Sequence, residues 1–139
     1  MWLLWALMSA FFAAWIAILS KIALSHINVM FFTTIGSIII TIFLVAMSIG
    51  TKQFDVTIMR QLAVRDWLII GAASIVEAIS WLFYFKAISQ GPVTPVVMID
   101  RLSIVFTAIF AAILFSTPIT PVMLIGIICM VIGIILLSL

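Results

Sequence analysis

From Trp2 to Leu24 the chain is apolar almost without interruption, and its one charged residue there is Lys21, near the end. Four further stretches of this kind follow, at roughly Val29–Ile49, Trp67–Ser89, Pro95–Phe115 and Pro118–Leu137. An α-helix rises about 1.5 Å per residue, so about 20 apolar residues cross the ~30 Å hydrocarbon core of a bilayer. Each stretch is long enough. Hydrophobic residues make up 68% of the chain and charged residues 7%, whereas a soluble domain carries about 25% charged residues. Spanning strands would be short and alternate apolar with polar residues, a pattern absent here. These features predict an all-α membrane protein. Residues 1–139 form one domain of five transmembrane helices, with no internal sequence repeat.

Turn residues separate the spans. Ser25–Asn28 ends the first. Gly91, Pro92 and Pro95 fall between the third and fourth, and Pro118 and Pro121 between the fourth and fifth. Proline suits a helix start, where its missing N–H would have no partner anyway. The connection Gly50–Asp66 is longer and carries Lys52, Arg60, Arg65, Asp55 and Asp66. Phe54, Ile58 and Leu62 recur there at helical spacing, which fits a short interfacial helix as well as it fits a solvated loop. A secretory signal peptide is not expected, because no Lys or Arg precedes Lys21 and the first apolar run is too long.

The composition also narrows function. The net charge is +2, with no basic patch for nucleic acid. A lone cysteine, Cys129, and a lone histidine, His26, exclude a disulfide framework and leave no metal-ligand cluster. Nucleophile-elbow, zinc-protease and phosphate-loop motifs are absent, so neither enzymatic nor ATP-driven work is expected, and no cofactor.

An odd number of spans puts the termini on opposite sides. Lys52, Arg60 and Arg65 lie on one face, and Lys21, Lys86 and Arg101 on the other. Orientation is set by an excess of Lys and Arg on one side. The balance is nearly even, with a mild bias towards a cytoplasmic N-terminus, and it fits a chain that inserts both ways.

Charges within the spans carry the functional signal. A charged group at mid-bilayer costs at least about 2.5–3.5 kcal/mol on insertion scales, and such groups mark solute or ion pathways by default. Glu77 lies near the middle of the third span. A carboxyl in the hydrocarbon layer holds its proton, and exchange of that proton with a wet cavity is proton coupling. Ser74, Trp81, Tyr84 and Ile88 follow Glu77 on one helix face. A protonated Glu77 bonded to a neighbouring helix is the structural alternative. Asp100 and Arg101 lie inside the fourth span, with Ser103 and Thr107 continuing the Asp100 face. They form either a pathway or an ion-pair cluster that locks helices, with Lys21 and Lys86 at the same membrane face. Those two lysines lie near helix ends, where snorkelling is the expected behaviour. Thr34, Ser37, Thr41 and Ser48 stripe the second span, and packing against another helix is their expected role. Ser9, Ala13 and Ala17 make a small-residue ridge on the first span, and Gly126 and Gly133 share a face of the uncharged fifth. Trp2, Trp5 and Trp67 are placed as interfacial anchors.

Three stretches, Ser9–Leu24 (SAFFAAWIAILSKIAL), Trp81–Val96 (WLFYFKAISQGPVTPV) and Ile99–Phe115 (IDRLSIVFTAIFAAILF), resemble the EamA-like domain of the drug/metabolite transporter superfamily. The likeness extends over nearly the whole chain and is closest to short, single-domain prokaryotic members. Most relatives carry two such domains as inverted repeats around a central cavity and work by alternating access. The resemblance therefore implies an antiparallel homodimer equivalent to a ten-span transporter, as in the related small multidrug resistance proteins. The fifth span, with Gly126 and Gly133, would contribute to the dimer contact. Two departures stand out. Relatives commonly have a Gly-Glu pair before the last span, where this chain reads Phe115-Ser116-Thr117-Pro118, and small residues where Glu77 stands.

The expected function is secondary transport of a small metabolite or drug-like solute across a prokaryotic cytoplasmic membrane, as proton-coupled export. Glu77 is the coupling candidate. Trp81, Tyr84, Asp100, Arg101, Ser103, Thr107, Lys21 and Lys86 are the solute-pathway candidates. Half of a lipid-linked-sugar flippase and a non-transporting membrane subunit are the alternatives.

Overall fold

The computed structural model describes residues 2–53 and 56–138, and every regular element among them is a helix. In chain order these are α1 (Trp2–Ala23), α2 (Val29–Gly50), α3 (Val56–Gln61), α4 (Val64–Gln90), α5 (Val93–Asp100), α6 (Ser103–Phe115) and α7 (Pro121–Ser138). Four segments are long and apolar enough to cross a membrane: α1, α2, α4 and the α5–α6 pair taken together. The last of the five expected spans is the shorter apolar helix α7, whose 18 residues reach ~27 Å. Side chains that water would not tolerate stay uncovered along these helices, among them Trp2, Phe83, Phe115 and Val122, each at least 74% exposed. A hydrocarbon solvent is the environment that suits them.

Helix ends are set locally. Asn28, extended at φ −66° and ψ 140°, accepts the Met30 N–H at 2.8 Å and starts α2. The other end of α2 closes with the Gln53 N–H on the Ser48 carbonyl and the Lys52 N–H on Ile49, both at 3.0 Å. Lys52 takes the left-handed position of that motif at φ 55°. Helix α4 begins at Val64, not at the expected Trp67. Asp66 Oδ2 reaches back to the Ala63 N–H at 3.1 Å, satisfying a first-turn donor and bringing the helix start forward. Helix α7 begins at Pro121, not Pro118, because Thr120 Oγ1 accepts the Met123 N–H at 3.3 Å and caps it, with Pro121 as the first helical residue. In the Gly50–Asp66 connection α3 forms a single short helix. Leu62 falls past its end, and Phe54 lies outside the described residues.

The fourth span is not one helix. It starts at Val93 after Pro92, and Pro95 occupies the third helical position, where no intrahelical N–H bond is due. It then breaks at Arg101–Leu102. There the Arg101 N–H bonds Met98, Leu102 bonds Ile99 and Ile104 bonds Arg101, each three residues back at 2.9–3.1 Å. This is a 3₁₀ tightening between α5 and α6 with neither proline nor glycine at the break.

The chain divides into two compact units, Leu19–Ser89 and the remainder, Met1–Ile18 with Gln90–Leu139. In the first, Ser20, Leu24, Thr33, Phe85 and Ile88 are buried. In the second, α5 packs on α7, and Ala17, Ala108 and Ile134 are buried.

Candidate functional site

The site lies within the Leu19–Ser89 unit, in the seam between α2 and α4. At one end of the seam, Lys21 Nζ donates to the carbonyl oxygens of Ile88 at 2.8 Å and Ser89 at 3.4 Å. An ammonium thus meets the carbonyls that the last turn of α4 leaves unpaired, where a positive charge is also favoured. Beside it the Phe85 ring packs edge-on against Phe32, with centroids 5.0 Å apart, and against Tyr84, at 5.5 Å. Trp81 lies 6.5 Å from Phe85 at a tilt. These aromatics fill the seam at its Lys21 end.

Away from that plug the helices part and leave a groove of about 390 Å³. From α4 it takes Ser74, Glu77, Ala78, Trp81 and Leu82. From α2 it takes Thr33, Thr34, Ser37 and Thr41, with Met30 and Ile40 beside them. The volume falls within the usual range for small-molecule sites. Glu77 supplies the groove's charge, and among the described lining residues no lysine or arginine faces it.

The hydroxyls bond back onto their own helices. Thr34 Oγ1 donates to the Met30 carbonyl, Ser37 Oγ to Thr34 and Thr41 Oγ1 to Ser37, each at 2.8 Å. Ser74 Oγ donates to Ile70 at 2.9 Å, and Thr33 Oγ1 to Val29 at 2.8 Å. Such back-bonding occupies the hydroxyl proton and leaves the oxygen lone pairs for the groove.

The sequence-derived candidates divide between the units. Glu77 and Trp81 meet in the groove. Tyr84, two helical turns beyond Glu77, is engaged with Phe85 and stands outside the described lining. Lys21 is committed to the end of α4, while the Lys86 side chain is exposed. Asp100, Arg101, Ser103 and Thr107 belong to the other unit, at the α5–α6 break, where Thr107 Oγ1 donates to the Ser103 carbonyl at 2.8 Å. Gly126 and Gly133 lie on α7, and a Cβ added to either would meet no atom within 4 Å.

The hydroxyl stripe of α2 falls where the two helices face each other. Thr34, Ser37 and Thr41, for which packing against another helix was the main expectation and a cavity lining the lesser, line the groove between α2 and α4, while Ser48 lies beyond the described lining. Thr33 was missed. It is buried and belongs to the lining, and its spacing of four with Ser37 and again with Thr41 is the signal that marks it.

Comparison with known proteins places the chain. The model of the EamA-like transporter family matches residues 1–139. An uncharacterized transporter encoded in the cobO 3' region of a Sinorhizobium species is 36% identical over 109 residues, which are 78% of this chain and 76% of that protein. No solved structure was found to match. Membrane-crossing helices and a family match along the whole sequence agree: this chain is an integral membrane protein and belongs to the EamA-like transporter family.

Proposed function

We infer that the protein is a secondary carrier that exports a small metabolite or drug-like solute in exchange for protons, with the Glu77 groove as its solute site. The observation that carries this reading is the meeting of a spanning-segment carboxylate with hydroxyls of a second helix in one groove of solute size. Glu77 is exposed in the protomer and lines the groove together with those hydroxyls. In this reading Glu77 takes up and releases the coupling proton, and Trp81 contacts the solute. Tyr84 supports Trp81 through Phe85. Lys21 fixes the end of α4, and Lys86 stays at the headgroups. Asp100 and Arg101, with Ser103 and Thr107, hold the fourth span or meet a charged group of the solute.

Alternating access in this fold uses two inverted halves, and each five-span bundle is one of them in this reading. An antiparallel homodimer in a prokaryotic cytoplasmic membrane supplies both. The even spread of Lys and Arg supports that arrangement, with Gly126 and Gly133 on the helix we assign to the contact. The test is proton flux driven by a solute gradient in liposomes holding purified protein. Wild type is expected to show it and Glu77→Gln to lose it. Intact flux in Glu77→Gln removes Glu77 as the coupling residue. Labelling of single cysteines placed at each end of a Cys129-free chain is expected to find both ends on both sides, and one-sided labelling rejects dual insertion.

A further inference from the structure

We propose that the groove selects solutes bearing an ammonium with N–H bonds, a primary or secondary amine on an apolar body, over quaternary cations, anions and neutral molecules. This rests on the groove being the carrier's solute site.

The argument is an inventory of hydrogen-bonding capacity. Once it has released the coupling proton, Glu77 provides a carboxylate, an acceptor that bears the site's charge. Thr34, Ser37, Thr41 and Ser74 have each given their proton to a carbonyl of their own helix at 2.8–2.9 Å. With their protons so placed, their oxygens face the groove as acceptors. Apart from the indole N–H of Trp81, the described lining holds no uncommitted side-chain donor, and it holds no cation. A solute anion would meet a like charge and almost nothing to bond it. A quaternary ammonium would satisfy the charge but cover the carboxylate and hydroxyl oxygens without bonding them. An ammonium with N–H bonds does both: one hydrogen meets the carboxylate in a charge-assisted bond, and the others meet hydroxyl oxygens of α2. The Trp81 π system favours a cation beside it. Ile40 and Leu82 supply apolar wall for the solute's body, and about 390 Å³ accommodates an amine with one or two rings.

The experiment measures binding and needs no transport. Purified protein in lipid nanodiscs is titrated with radiolabelled phenethylamine, competed by its N,N,N-trimethyl derivative and by 3-phenylpropionate. Wild type is expected to bind phenethylamine at least fivefold more tightly than the trimethyl derivative, with no competition from the carboxylate. Glu77→Gln is expected to weaken phenethylamine at least tenfold. Thr34→Val with Ser37→Ala and Thr41→Val is expected to bring the primary and quaternary amines to equal affinity, and Ser37→Ala alone to narrow the gap. The inference is overturned if wild type binds the trimethyl derivative as tightly as phenethylamine, if 3-phenylpropionate competes equally, or if phenethylamine does not bind. Because the wild-type comparison involves no substitution, misfolding of a variant leaves it decisive. Amine binding without coupled proton flux would reject the exchange mechanism and keep this selectivity. Coupled flux of another solute without amine binding would do the reverse.

Discussion

Replacing Lys21 by methionine separates a structural lysine from a surface one. Lys21 Nζ sits 2.8 Å from the carbonyl oxygen of Ile88, whose side chain is 0% exposed. The last four carbonyls of a helix have no partner within it, and these are withdrawn from water. Methionine keeps most of the stem and removes the donor and the charge. A hydrogen bond to a charged group contributes about 1.5–3 kcal/mol, and a cation at a helix C-terminus adds roughly 0.3–1 kcal/mol. The second contact, to Ser89 at 3.4 Å, is long and contributes little. Lys21→Met should therefore cost about 2–4 kcal/mol. Lys86 is the control: its side chain is exposed, and Lys86→Met should stay within roughly 0.5 kcal/mol of wild type. Both are read by reversible unfolding in mixed micelles of rising SDS fraction. Equal costs for the two lysines, or a Lys21→Met cost below about 0.5 kcal/mol, would refute the cap.

The same unfolding measurement checks three more substitutions. Asn28→Ala removes the acceptor that starts α2 and should cost about 1 kcal/mol. Ile88→Ala empties a site that is 0% exposed and should cost roughly 2–5 kcal/mol, whereas Ile42→Ala, at 64% exposed, should cost far less. Lys52→Gly and Ser116→Gly relieve left-handed residues at φ 55° and 50°, and each should stabilise by about 1 kcal/mol. A destabilising Lys52→Gly would mean that its side chain, not its backbone, sets the end of α2.

The spans were legible because hydrocarbon imposes one rule on every residue of a crossing segment. Trp2–Leu24 and Val29–Ile49 match α1 and α2 to within a residue at each end. The edges moved where a single side chain decides them. Asp66 extends α4 back to Val64, and Thr120 passes the start of α7 from Pro118 to Pro121. Neither cap shows in an apolar pattern, since both residues read as loop. Glu77 was conspicuous because a carboxylate in a greasy run demands a reason. The hydroxyls were ambiguous, because a threonine that bonds its own helix has the same sequence signature whether it faces a neighbour or a groove. Only the register of α2 against α4, set by packing such as Phe32 on Phe85, distinguishes the two.

The broken fourth span follows from the same geometry. Sequence spacing places Ser103 and Thr107 on the Asp100 face, though imperfectly. At about 100° per residue they fall some 60° and 20° to one side of it. Arg101 and Leu102 adopt 3₁₀ bonding, which turns about 120° per residue, so two residues add roughly 40°. Ser103 and Thr107 then flank the Asp100 direction, about 20° to either side. On ideal geometry the tightening narrows the angular spread of Asp100, Ser103 and Thr107 from about 60° to about 40° and sets Arg101 a third of a turn from its neighbour. Arg101 cannot neutralise Asp100 along the helix, so each must be answered from elsewhere. A 3₁₀ break without proline or glycine is the local geometry that the solute-path reading we propose for Asp100, Ser103 and Thr107 would use.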